Sequence, residues 1–132
     1  MAYTTSVRVR FAQVDAAQIV FFPRYVEWLQ GAIEDYMAEH VGCDVNRLMR
    51  EYNLGMPAVH VEIDYFVPSR LWDNLEISLS VEKIGRSSLP ITATFHVGEE
   101  VRARLSIIVV CTNMQEMKSV PWPEDLRARL LT

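Results

Sequence analysis

Asp15 is the residue of this sequence best placed to do chemistry. It stands alone among apolar neighbours in the segment Phe11-Ala12-Gln13-Val14-Asp15-Ala16-Ala17-Gln18-Ile19-Val20-Phe21-Phe22-Pro23-Arg24-Tyr25. A partly desolvated carboxylate just ahead of a helix can attack a carbonyl as a nucleophile. It can equally take a proton from water as a general base. The same position suits an aspartate that only caps a turn, and spacing alone favours that plainer role. The helix start is a second element. Its first N–H groups lack intrahelical partners and carry partial positive charge, so an acyl carbonyl placed there meets a ready oxyanion site. Phe21 and Phe22 are the residues placed to supply that amide. Every helix has such an end, so this signal is weak by itself.

Other residues carry less. Phe21, Phe22, Tyr25 and Trp72 suit a flat, aromatic-tolerant pocket and suit a core equally well. His60, Glu62 and Asp64 share one strand face and are of metal-ligand type, but no second cluster completes a site. No metal is expected, and His60 is read as an interface or pocket-mouth residue. Arg86, with Ser87 and Ser88, falls in a turn, where an exposed charge is the default reading. The chain has no GxGxxG, P-loop or GxSxG, which argues against nucleotide-cofactor and serine-hydrolase chemistry.

The elements that must hold these residues show in the parity of the chain. Val7, Val9 and Phe11 alternate with arginines. Val59, Val61, Ile63, Tyr65 and Val67 alternate with His60, Glu62, Asp64 and Phe66. Ile77 to Val81, Leu89 to Val97 and Ala103 to Cys111 repeat the pattern. Period two gives five strands with one apolar face, an antiparallel sheet covered on one side. Pro90 lies inside a strand, so its missing N–H is expected at an edge or a bulge. Between the first two strands the period becomes helical: Val26, Leu29, Ile33 and Met37, widened by Tyr25, Ala32 and Tyr36. Pro23 suits the first turn and Gly42 the stop. Shorter helices are expected near Val45 to Tyr52 and Pro123 to Leu131. The order is β-α-β-β-β-β, an α+β fold with one long helix against a curling sheet. The second strand is long and edge-tolerant, and pairing it with its own copy would close one edge. Ile108 and Val110 break the polar parity of the back face and hint at a further contact surface.

Composition sets the outer bounds. A chain of 132 residues, 50% apolar and 23% charged, is one ordinary domain spanning 1–132. Net charge −4 speaks against nucleic acid or an anionic membrane as partner. No segment approaches eighteen uninterrupted apolar residues, so no membrane insertion is expected. MAYTTSVRVR lacks the apolar core of a signal peptide, and Cys43 and Cys111 form no CxxC. They read as reduced thiols, and the expected location is cytoplasmic.

The segment FAQVDAAQIVFFPRYVEWLQ resembles the N-terminal signature of the 4-hydroxybenzoyl-CoA thioesterase branch of the hotdog-fold family. The resemblance continues through Asp64, Tyr65, Pro68, Arg70 and Asp73, then Glu82 to Ser88, and ends at Val120-Pro121-Trp122-Pro123. No single motif is decisive, but their order and spacing together are specific. The resemblance implies a helix wrapped by an antiparallel sheet and hydrolysis of an acyl-CoA thioester. It implies Asp15 as the catalytic carboxylate, attacking the carbonyl or activating water, and the Phe22 backbone N–H as its polariser. Arg86, Ser87 and Ser88 would meet the phosphates of coenzyme A, which belongs to the substrate; no separate cofactor is implied. Arginine's fork and small hydroxyls both suit phosphate. Family members are dimers or dimers of dimers with sites at the subunit interface.

This sequence departs from the family at two places. Gln18 stands where the family usually has Gly, a residue that would allow positive φ. Gln18 either changes the loop or offers its amide to orient the attacking water. FFPRY stands where another branch has a YHxxY pattern, which favours the benzoyl-type branch. Two rival readings keep the fold: a thioesterase acting on acyl carrier protein, met by Arg24, Arg70 and Arg86, and a non-catalytic protein that binds acyl thioesters.

Overall fold

The period-two segments do build one antiparallel sheet in the computed structural model, which describes residues 2–131. Met1 and Thr132, the ends of the expected domain, lie outside the described residues. In chain order the elements are β1 (Ala2–Arg8), α1 (Arg24–Tyr36), α2 (Val45–Tyr52), β2 (Leu54–Gly55) and β3 (Ala58–Tyr65). Then come β4 (Asn74–Val81), β5 (Ser88–Val97), β6 (Glu100–Val110), β7 (Thr112–Asn113), β8 (Lys118–Ser119) and α3 (Glu124–Leu130). The main sheet has the order β1-β4-β5-β6-β3, and β2, β7 and β8 form a small second sheet.

The alternation decides which face is buried. Leu75, Ile77 and Leu79 of β4, Leu89, Ile91, Ala93 and Phe95 of β5, and Ala103, Leu105, Ile107 and Val109 of β6 all point inward and are buried. Against them α1 sets Tyr25, Trp28, Leu29, Ala32, Ile33 and Tyr36. Burying each such aliphatic side chain contributes roughly 1.5–3 kcal/mol, so this interleaved layer is the main source of stability. Beyond Tyr36 the helix widens into a π-turn, Met37–Val41, and ends at Gly42 with φ 78°. A Cβ there would lie 2.6 Å from Arg129 Nη1, which donates to the Val41 carbonyl at 2.9 Å.

Four expectations need correction. The first strand stops at Arg8, and Phe11 lies in a short 3-10 turn, 81% exposed, because the chain must leave the sheet to reach α1. Val26 faces outward, and Trp28 takes the core place expected for it. Pro90 is neither on an edge strand nor at a bulge. It lies in β5 between β4 and β6, but β4 has ended at Val81 and the turn residue Glu82 donates to the Pro90 carbonyl. No β4 residue therefore needs the missing N–H. Finally, the apolar face of the second strand is not covered: no residue of β3 is buried, and Val59 is 64% exposed. It is an edge strand, paired within the chain only with β6.

Candidate active site

The chain leaves β1 at Arg8 and returns to α1 at Arg24, and this crossing segment folds back on itself. Val14 and Val20 form a bridge, the Asp15 N–H donates to the Ile19 carbonyl, and the Gln18 N–H donates to the Asp15 carbonyl. The tight loop requires a left-handed residue, and Gln18 supplies it with φ 65°. The backbone therefore keeps the conformation a glycine would adopt there, with a polar side chain in its place.

Asp15 is exposed, not desolvated as expected, because within one chain nothing covers the loop. Its Oδ1 accepts the Ala17 N–H at 2.8 Å, the turn-capping role that spacing favoured. No hydrogen bond among the described residues uses Oδ2. Asp15 and Gln18 line a cleft of about 810 Å³ with Phe11, Val14, Arg70 and Leu71.

Phe22 lies in the turn before α1, 62% exposed. Phe21 N–H is spent on the Gln13 carbonyl, whereas no hydrogen bond among the described residues uses the Phe22 N–H. That leaves Phe22 as the donor of the pair. Its carbonyl accepts the Tyr65 hydroxyl at 2.9 Å. Phe22, Tyr25 and Tyr65 line a second, apolar cavity of about 310 Å³ with Ile19, Val20 and residues 66–69. Tyr25 is buried and its ring meets Tyr65 edge-on at 5.5 Å; the exposed Phe21 meets Phe22 likewise at 5.4 Å. Burial pushes the phenols of Tyr25 and Tyr65 up, so both remain hydrogen donors at neutral pH. Residues 18–20 separate the two cavities, so a single chain does not enclose Asp15 and the Phe22 N–H in one pocket.

The remaining candidates lie elsewhere. His60 is exposed on β3, its Nε2 2.9 Å from Glu62 Oε1. Arg86 is exposed in the β4–β5 turn; Ser87 of that turn and Ser88 at the start of β5 are half-buried. That turn follows Val81, whereas the Asp15 loop lies at the Asn74 end of β4. An eight-residue strand at about 3.3 Å per residue puts roughly 26 Å between them. Burial pushes the Cys111 thiol up to about 11 and raises Cys43 as well, so neither is a thiolate nucleophile at neutral pH.

Sequence reasoning found residues 64–73 only as part of a resemblance and missed that they support the loop. Residues 66–73 run as a strap from β3 across the ends of β6 and β5 to β4. The strap pairs with the loop through an Ile19–Arg70 bridge and a Val20 N–H to Ser69 carbonyl bond of 2.8 Å. Its Trp72 is a second left-handed non-glycine, φ 71°. By the alternation of β6, Arg102 falls among the outward residues beside Ala103. The strap's polar spacing, Ser69 to Asp73, was the available hint.

No described helix is long and apolar enough to cross a membrane. Residues 9–130 match the thioesterase-like superfamily. A 1,4-dihydroxy-2-naphthoyl-CoA hydrolase from Acaryochloris marina is 27% identical over 127 residues, covering 94% of this chain and 90% of the relative. An acyl-CoA thioesterase, YbgC, from Haemophilus influenzae is 22% identical over 126 residues, covering 96% and 92%. The crystal structure of a 1,4-dihydroxy-2-naphthoyl-CoA thioesterase from Synechocystis superposes with a TM-score of 0.90 at 21% identity, covering 99% of this chain and 96% of that one. A sheet of this order wrapped on one long helix, matched over nearly its whole length, identifies the chain as a hotdog-fold thioesterase of the thioesterase-like superfamily.

Proposed function

We propose that this protein hydrolyses an acyl-CoA thioester to the free acid and coenzyme A, with Asp15 as the reacting carboxylate. The observation that carries this is the pairing of two unspent groups on one short loop. Asp15 Oδ2 and the Phe22 N–H have no partner among the described residues, and both lie on the segment that leads from β1 into α1. A thioester carbonyl between them would have its oxygen polarised by the amide. Its carbon would then be attacked by the carboxylate, or by water that the carboxylate deprotonates; either route expels the coenzyme thiolate, and the first leaves a mixed anhydride on Asp15 that a water molecule then cleaves to the free acid. Gln18 projects from the same loop into the Asp15 cleft, where its amide would orient that water. Phe21 and Tyr25 would wall the acyl side.

The working unit in this proposal is a dimer closed through β3. Its uncovered inner face and free edge call for a partner, and a two-fold through antiparallel β3 strands turns the second chain end for end. The partner's Arg86, Ser87 and Ser88 then lie at the Asp15 end, where the coenzyme phosphates would be held, and His60 lies at the seam. Such a partner would also cover Asp15.

Asp15→Asn tests the chemistry cleanly, because the amide oxygen can still accept the Ala17 N–H and keep the loop. Free thiol release from aromatic, short, medium and long acyl-CoAs, and from one acyl group on acyl carrier protein, is compared for wild type and variant. A loss of about a hundredfold or more in kcat is expected. Equal turnover by both proteins would refute the assignment.

A further inference from the structure

Arg102 sits under the strap, with its side chain 12% exposed. Its Nη1 donates to Asp73 Oδ2 at 2.7 Å and lies 3.3 Å from Ser69 Oγ and 3.4 Å from the Pro68 carbonyl. Its Nε donates to Glu100 Oε1 at 2.7 Å, and its own carbonyl accepts the N–H groups of Phe66 and Val67. One residue thus grips both ends of the strap. Ser69 is 1% exposed, and its Oγ also accepts the Tyr25 hydroxyl at 2.9 Å, which ties the strap to the first turn of α1.

The strap passes this grip on to the catalytic loop. The Ser69 carbonyl accepts the Val20 N–H, the Asp73 carbonyl accepts the Val9 N–H, and the Trp72 N–H donates to the Val9 carbonyl. Both ends of the crossing segment are therefore fixed to the strap. Two strained residues flank the joint, Gln18 in the loop and Trp72 in the strap, each with a left-handed backbone. Such residues cost about 1 kcal/mol or more each and persist only where surrounding contacts over-determine them. The strap that pairs with the loop beside them is held by Arg102.

We propose that Arg102 is a positioning residue for the thioesterase reaction: through Asp73 and Ser69 it holds the 66–73 strap that fixes the Asp15–Val20 loop against the start of α1. The inference rests on the proposed hydrolysis by Asp15. It adds a residue that never touches the substrate but sets the distance between the carboxylate and the Phe22 N–H. Displacements of about 1 Å in such a pair cost up to a hundredfold in rate.

The test uses the full chain with Arg102→Met, Arg102→Lys, Asp73→Asn and Glu100→Gln, and two readouts. Steady-state kinetics on the acyl-CoA that wild type turns over best gives kcat and KM. Hydrogen–deuterium exchange of the folded proteins needs no turnover. In Arg102→Met, kcat should fall about tenfold or more with KM within about threefold. The amides of Val9, Val20 and Trp72 should exchange at least about tenfold faster while β4–β5 amides stay protected. Arg102→Lys should recover part of both effects. Asp73→Asn keeps an accepting oxygen but loses the charge, so it should show both effects in smaller measure, and adding it to Arg102→Met should make neither worse. Glu100→Gln should change neither, since Glu100 does not touch the strap. A folded Arg102→Met protein that keeps kcat within threefold of wild type, or that loses kcat while the three amides stay protected, would overturn the proposal. If Arg102→Met does not fold, Asp73→Asn is measured by the same two readouts, and wild-type kcat or wild-type protection of the three amides in it would overturn the proposal equally. A wild type inactive on every thioester would defeat the hydrolysis reading instead, with the exchange data still reporting on the grip.

Discussion

The Tyr65 hydroxyl donates to the Phe22 carbonyl at 2.9 Å, tying the last residue of the edge strand to the turn that opens α1. This bond fixes the backbone torsions of the residue whose N–H is assigned to the oxyanion. Tyr65→Phe removes the donor and keeps the ring. A hydrogen bond of this kind contributes about 0.5–1.5 kcal/mol. Steady-state kinetics should show kcat down about two- to tenfold with KM unchanged. A change in KM alone would make Tyr65 a substrate contact rather than a backbone tie.

Gln18 separates strain from chemistry. Gln18→Gly relieves the left-handed backbone at φ 65° but loses the amide. Thermal stability should rise by up to about 1 kcal/mol, the relief being offset in part by the freer unfolded chain. Turnover should fall, because the water-orienting group is gone. Gln18→Val should lower both. A glycine variant as active as wild type would remove Gln18 from the reaction.

Asp15 and Arg86 belong to opposite ends of one chain, so a shared site requires two chains. Asp15→Asn and Arg86→Gln should each be poorly active alone, the first in kcat and the second in KM for the coenzyme thioester. Mixed and refolded together, they form heterodimers in which one site has both wild-type residues. Activity should then recover to a sizeable fraction of wild type. No recovery, with heterodimers verified by mass, would separate Arg86 from the site.

Asp73 gives a pH signature. Burial opposes its ionisation, but the Arg70 N–H and the Arg102 guanidinium outweigh it and hold the carboxyl below the usual range. A depressed folded value means that its contribution to stability is present above the ordinary carboxylate value of about 3.9. It is lost as pH falls through the lower folded value. Urea unfolding across acid pH should therefore show wild type losing stability more steeply than Asp73→Asn. Parallel acid limbs would show that the ion pair contributes nothing.

The sheet was legible because its signal is local. Period two marks inward residues wherever one face is covered, and β4, β5 and β6 obey it throughout. The pattern misleads where cover is missing. β3 alternates like its neighbours yet only Ile63 is even partly buried, since periodicity records a face meant for cover and not what covers it. Phe11 continued the parity of β1 although the chain had already turned away. At the site, Asp15 and the helix start could be read from one short segment. The Arg102–Asp73 grip could not, because it joins residues on separate elements and leaves no spacing to read.

The order β1-β4-β5-β6-β3 hangs the Asp15 loop from one edge of the sheet and the strap from the other. Outer strands open at lower free energy than the strands they flank. A partial opening at either edge parts Val20 from Ser69 while β4, β5 and β6 stay closed. Catalysis would then fail in mild denaturant before the bulk of the secondary structure melts. A second chain seated on β3 would protect against that opening at one of the two edges, so association would lengthen the working life of each site without altering its chemistry.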